Sequence, residues 1–360
     1  MTKRLTLIAA AVALTCAGAS ATVNGQDACT LSPNVTVVAT GLDNPRGLKF
    51  GPDGYLYVAE GGTGGTLSTD GQCPQVVPPV GPYTGGYTGR ISMVDHDGNR
   101  TTVVDGLPSS QTSINLGNLV SGVGDVAFIG HTLYAVLAGA GCSHGVADEP
   151  NGILRIDAGG PQLIADLSAF QAQHPVAAPE PDDFEPDGTW YSMVAVRGAL
   201  YAVEPNHGEI DRITPDGTIT RVVDVSAKYG HIVPTAIAYD GNFYVGTLGT
   251  FANGFQGHVI KVTPSGQTLE ILSGLTSIMG LVATDGALYV LENVGGFPAA
   301  CAGRVLRIPK SGNLAKAQEI ASGMMLPTSL TMGPDGNLYV SNHGFGFPEG
   351  GGEVLRIDLH

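Results

Sequence analysis

A tyrosine flanked by apolar residues returns six times along this chain, at Tyr57, Tyr134, Tyr201, Tyr244, Tyr289 and Tyr339, each in Leu-Tyr-Val or a close variant. The last three intervals are 43, 45 and 50 residues; the earlier two are 77 and 67. A repeat in the forties is the length of one four-stranded propeller blade, so the two long intervals read as blades carrying insertions.

Each repeat has the same internal order. An apolar strand comes first, as in Gly47-Leu48-Lys49-Phe50 or Ser329-Leu330-Thr331-Met332. A turn follows, Pro52-Asp53-Gly54 or Pro334-Asp335-Gly336, where glycine supplies a positive φ without a Cβ clash. The tyrosine strand is second. After a variable loop, a third strand places a basic residue between apolar ones: Leu154-Arg155-Ile156, Ile260-Lys261-Val262, Leu306-Arg307-Ile308 and Leu355-Arg356-Ile357. The copy at Asp211-Arg212-Ile213 alone begins with a polar residue. Asp97-Gly98, Asp216-Gly217, Ser265-Gly266 or Ser311-Gly312 then turns the chain into a fourth strand.

The sixth repeat stops after its third strand, at His360, and its missing fourth strand stands at the other end of the chain as Val35-Thr36-Val37-Val38. The Gly41-Leu42 pair beyond it matches Gly106-Leu107 and Gly274-Leu275 after other fourth strands. The reading is an all-β, six-bladed β-propeller over residues 35–360, closed by the N-terminal strand completing the last blade. Closure matters because an open ring exposes sheet edges and apolar blade faces.

Composition agrees with many short strands and tight turns: 53 Gly and 23 Pro, 43% hydrophobic and only 14% charged residues. Residues 1–21 read as a signal peptide, with Lys3 and Arg4, the apolar run Leu5 to Leu14, and an A-x-A site at Ala19-Ser20-Ala21. Residues 22–34 form an N-terminal extension. No later segment is long and apolar enough to span a membrane, and a secreted or periplasmic location is expected. Cleavage removes Cys16 and leaves Cys29, Cys73, Cys142 and Cys301, enough for two disulfides with three possible connectivities. The insertions carrying Cys73 and Cys142 lie in neighbouring blades on one face, so a Cys73–Cys142 bond is expected, with Cys29–Cys301 the remainder. The net charge of −15 disfavours nucleic acid and phosphate ligands.

The stretch Leu42-Asp43-Asn44-Pro45-Arg46-Gly47-Leu48-Lys49-Phe50-Gly51-Pro52-Asp53-Gly54 and the segment from Val203 to Val223 resemble the secreted, NHL-like propellers of the ScyD/ScyE family. The resemblance spans nearly the whole mature chain. It implies an extracytoplasmic role, without the sorting signal that ends many members, and carries no assigned reaction.

Propellers bind ligands on the face where the loops between strands two and three, and the connections into strand one, converge on the channel. Residues expected there are Glu60, Glu204, Glu292, Asn293 and Asn342 at second-strand ends, with Arg46, Glu185, Asp187, Asn206 and His231 on nearby loops. An oxygen-rich mouth suits a hard cation, so Glu60, Glu204, Glu292, Asn293 and Asn342 are the candidate ligands of a central Ca²⁺. Side chains at strand ends also satisfy loose backbone groups or pair with bases such as Arg90. His207 and His343, at equivalent places in blades three and six, are the candidate general bases. The loop from Ala138 to Asn151, with Cys142 and His144, reads either as a lid or as a stapled insertion.

Two functions follow. The main reading is a monomeric binding or scaffold propeller holding a small molecule, glycan or protein on its loop face. The alternative is a Ca²⁺-dependent hydrolase or lyase of lactonase or paraoxonase type. No H-E-x-x-H helix occurs.

Overall fold

A computed structural model describes residues 29–181, 184–293 and 300–360, with the backbone alone of Phe251. The signal-peptide assignment, residues 1–21, lies outside the described residues.

Six antiparallel sheets form the fold, one for each counted tyrosine. Blade three shows the unit plainly: Ser192–Val196, Ala199–Glu204, Glu209–Ile213 and Ile219–Asp224 pair in chain order. The first strand of each blade packs against the first strand of the next, and Ser329–Met332 of blade six against Pro45–Phe50 of blade one, so the innermost strands make a closed ring. The closing strand is Val35–Leu42, which pairs with Gly352–Ile357 as the fourth strand of blade six. Blade one departs from the repeat. Its third and fourth strands, Thr84–Val94 and Arg100–Gln111, are long, and Val120–Ser121 adds a fifth strand.

The cores lie between blades. Tyr57 meets Phe128 of blade two edge-on at 5.0 Å between centroids, and Tyr339 meets Phe50 of blade one at 4.9 Å. In both blades the Pro-Asp-Gly turn holds the tyrosine from below. Tyr57 donates its hydroxyl to Asp53 (2.8 Å) and Tyr339 to Asp335 (3.1 Å). Partial burial and the adjacent carboxylate push both phenols up to about 12. The repeated tyrosine is therefore an inter-blade spacer.

The turn between third and fourth strands docks on the preceding blade. Gly98, Gly217, Gly266 and Gly312 all have φ between +82° and +87°. A Cβ on each would lie 2.1–2.5 Å from a backbone oxygen of the previous fourth strand: Val38, Ile164, Val222 and Ile271 respectively. Positive φ and close approach together demand glycine. Val38 belongs to the closing strand, so this contact also spans the junction of blades six and one.

Blade three contains a polar defect in this packing. Asp211 stands where blades two, four, five and six carry Leu154, Ile260, Leu306 and Leu355 and blade one carries Ser92, and it is fully buried beside the layer between blades two and three that holds Trp190 and Ile213. Neither carboxyl oxygen makes a well-formed hydrogen bond, although the Trp190 indole lies near. Burial first, and then neighbouring Glu209, raise its pKa well above the carboxylate range, against the pull of Arg221. A carboxyl with a raised folded pKa holds its proton more tightly when folded. Its contribution to stability is full below the unfolded pKa and is lost as pH rises toward the folded one.

Two outcomes test these contacts. Gly217→Ala should lower the unfolding free energy by about 1–3 kcal/mol, read as a shift of the urea midpoint. Asp211→Asn should raise that midpoint at neutral pH and change it little at acid pH, where the native carboxyl is already protonated.

Candidate functional site

The second-strand ends answer the calcium expectation. Glu60 lies opposite Arg90, Glu292 opposite Arg304, Glu204 opposite Glu209 and Asn342 opposite Glu353 in the strand registers. Each side chain turns into its own blade. Glu60 accepts from the Asp43 N–H (2.5 Å) and pairs with Arg90 at 2.8 Å. Glu292 accepts from Thr276 N–H (2.8 Å) and pairs with Arg304 at 2.5 Å. Glu204 accepts from Thr189 N–H (2.8 Å) and His207 N–H (2.5 Å). Asn342 accepts from Met325 N–H (3.0 Å) and donates to Glu353 (2.8 Å). Asn293 is buried, its backbone N–H bonded to Ser277.

These bonds hold the segment that leads into each first strand. In three of the blades the next residue is a non-glycine in the left-handed region: Asn44 (φ 49°), Ser277 (φ 46°) and Leu326 (φ 46°). Such corners persist only where surrounding contacts over-determine them. The donors proposed for Ca²⁺ are thus engaged in the backbone of separate blades. Among the described residues no group of three or more His, Cys, Asp and Glu is arranged to hold a metal. The residues do not fit the ion.

The channel mouth is filled by other side chains. Arg46 is buried with its guanidinium 3.7 Å from the Phe345 ring centre, and it donates to Val120 O. Burial lowers its pKa. Tyr191 of blade three donates to Thr328 O of blade six at 3.0 Å, and burial pushes its phenol up to about 12. The two candidate bases are held locally. His207 donates from Nε2 to Glu185 O (3.0 Å), and His343 bonds Gly351 O (3.0 Å) while stacking on Phe347 at 4.4 Å.

A cavity of about 630 Å³ opens instead on the loop face beside the channel, lined in part by Val80, Glu180, Glu185, Asn206, His231 and Phe255. Its walls come from the insertion of blade one, residues 180–189, and loops of blades three and four. Three of the expected loop residues, Glu185, Asn206 and His231, therefore meet here. Glu180, which the repeat could not reveal because it lies in an insertion, sets its carboxyl against Nε2 of His231. Asn206 anchors this wall twice, accepting from Glu180 N–H at its carbonyl (3.0 Å) and from Glu185 N–H at Oδ1 (2.8 Å). Asp187 accepts from both the backbone N–H and hydroxyl of Ser143 (2.7 Å each), clamping the 138–151 loop. Cys73–Cys142 and Cys29–Cys301 are both bonded as expected, and the former makes that loop a stapled insertion. No lysine or arginine lines the cavity among the described residues. A second cavity, about 330 Å³, lies on the opposite face between blades six and one, lined by turn residues such as Asp95 and His96.

No protein-family profile matches the sequence, and no curated protein matches it at a significant level. Solved structures do share the fold. A Thermus thermophilus oxidoreductase, described as a glucose dehydrogenase, has 17% identity and a TM-score of 0.56 over 91% of this chain and 99% of its own. A Xanthomonas campestris gluconolactonase has 11% identity and a TM-score of 0.54 over 90% and 89%. The PQQ-bound aldose sugar dehydrogenase of Streptomyces coelicolor has 17% identity and a TM-score of 0.52 over 91% and 98%. At such identities the likeness is one of fold.

Glu60→Ala, which removes the buried partner of Arg90 and frees the Asp43 N–H, should cost about 2 kcal/mol in denaturant unfolding. A chelator should leave the melting temperature of the unaltered protein unchanged; a fall would place a metal in the ring.

Proposed function

We propose that this protein is an extracytoplasmic propeller enzyme of hydrolase or lyase type, working by acid–base chemistry in the loop-face cavity. The observation that carries this reading is the His231–Glu180 pair in the wall of a cavity large enough for a small organic molecule. Such a pair can take up one proton and return it. In ester or lactone hydrolysis, the pair takes a proton from water as the water oxygen attacks the carbonyl carbon. The acyl C–O bond then breaks, and the leaving oxygen takes that proton back from the pair. The absence of lining cations disfavours phosphorylated or carboxylated substrates, so neutral esters and lactones come first. The shared ring of a gluconolactonase points the same way. Two disulfides and the resemblance to ScyD/ScyE proteins support an extracytoplasmic setting.

A second reading, ligand capture without turnover, is favoured by the mainly apolar lining around this one pair, with Val80, Leu116, Val233, Leu248 and Phe255 in the walls. Turnover separates the two. Glucono-δ-lactone, γ-butyrolactone and para-nitrophenyl butyrate should include a substrate, and His231→Ala should lower kcat by about a hundredfold or more at an unchanged melting temperature. Calorimetric binding with no hydrolysis of any of the three would favour capture.

A further inference from the structure

A chain of buried polar groups runs inward from the cavity wall through Glu185. Its Oε1 accepts from the Tyr83 hydroxyl at 2.7 Å, and its Oε2 lies 3.5 Å from His144 Nε2. His144 is fully buried, with Nε2 3.1 Å from Gly188 O and Nδ1 2.9 Å from the hydroxyl of Ser110, itself fully buried. A carbonyl oxygen only accepts, so Nε2 must carry the hydrogen. Burial lowers the imidazole to about 4, against the opposing pull of Asp187, so the ring is neutral at neutral pH. Its Nδ1 then accepts from Ser110. The Tyr83 O–H donates to the Glu185 carboxyl from inside the protein, while the His144 N–H, given to Gly188 O, fixes the loop beside it.

The backbone of Glu185 is held equally firmly. Its N–H bonds Asn206 Oδ1, and its carbonyl receives His207 Nε2–H and Gly188 N–H (3.0 Å each). Blade one's insertion, blade two's loop and blade three's turn thus converge on one residue that also lines the cavity. The carboxyl oxygens of Glu185 accept, so what the residue offers a ligand is an acceptor fixed in place.

We propose that Glu185 is the acceptor that orients a hydroxyl or ammonium donor of the cavity's ligand, with neutral His144 and Tyr83 as the residues that position it. This rests on the cavity being the working site, but it does not require that the reaction assigned above be correct. Preorganised acceptors discriminate strongly against analogues that lack the donor, because the site's own polar group is then left unpaired.

Calorimetric titration of the full chain with three non-reacting probes tests it: anhydroglucitol (hydroxyl donors), deoxynojirimycin (hydroxyls and a ring ammonium) and tetrahydropyran (no donor). The protein should bind one or both donor-bearing rings at least about tenfold more tightly than tetrahydropyran. Glu185→Gln should remove most of that preference, while Tyr83→Phe and His144→Gln should reduce it at melting temperatures close to the parent's. Nitrogen-15 spectra of the unaltered protein should show His144 as the neutral, Nε2-protonated tautomer at neutral pH, with Glu185, Asp187, Tyr83 and Ser110 the polar groups facing it. A preference that survives Glu185→Gln, no preference in the unaltered protein, or an Nδ1-protonated His144 overturns the proposal. Probe preference without hydrolysis overturns the reaction and leaves this role standing; hydrolysis without preference does the reverse.

Discussion

Between Val35–Leu42 and Gly352–Ile357 runs the ladder that joins the two ends of the chain, with Val35 opposite Ile357 and Leu42 opposite Gly352. Side chains reinforce the join on the inner side. Thr328 and Ser341 of blade six donate to the carbonyls of Pro45 and Arg46 in blade one, at 2.5 and 2.6 Å. Asn44 reaches across to Phe347. A blade buries its faces only between two neighbours, so an unclosed ring would leave one apolar face open at each end. Closure also fixes which loops share a face. Every feature of the candidate site depends on that sorting, since its polar groups come from different blades and meet only because the ring brings their loops together.

Once the ring is closed, the repeating positions are already occupied. In four blades the residue three places after the counted tyrosine faces a residue of the third strand and also receives an N–H from the chain leading into the first strand. A carboxylate there has little left to offer a ligand. The ionisable groups that line the cavity lie instead in stretches outside the repeat: Glu180, Glu185 and His231 in the connections leading into blades three and four. The framework supplies rigidity, and the insertions supply chemistry.

This division explains what was legible in the sequence. The blade count, the closing strand and the disulfide pairing all follow from period, turn residues and loop placement, which the repeat states openly. The inward turn of Glu60 and Glu292 was partly legible. Counting three residues either side of the paired strands places Arg90 and Arg304 directly opposite, whereas strand-end acidity alone suggested a metal. Asp211 announced itself as the carboxylate in a third-strand position that is aliphatic in four other blades, but its lack of well-formed hydrogen bonds depends on the packing of Trp190 and blade two. Glu180 was not legible. It has no counterpart in other blades, and its meeting with His231 depends on the bond from its N–H to Asn206 O, a tertiary contact that no periodic signal announces.

The rigidity of the cavity wall has its own physical logic. A ligand pays for ordering mobile loops when it binds, at about 0.5–1.5 kcal/mol for each immobilised side chain. Here that ordering is completed on folding: Cys73–Cys142 ties the blade-one insertion to blade two, Asp187 clamps Ser143, and Asn206 with His207 grips the backbone from 180 to 185. Neutral His144 adds to this without bringing a second charge into a water-poor interior, where an imidazolium would carry a desolvation cost. A polar network buried in this way is favourable only when its donors and acceptors are matched. The tautomer imposed by Gly188 matches Nδ1 to the Ser110 hydroxyl, and Glu185 takes its donor from Tyr83.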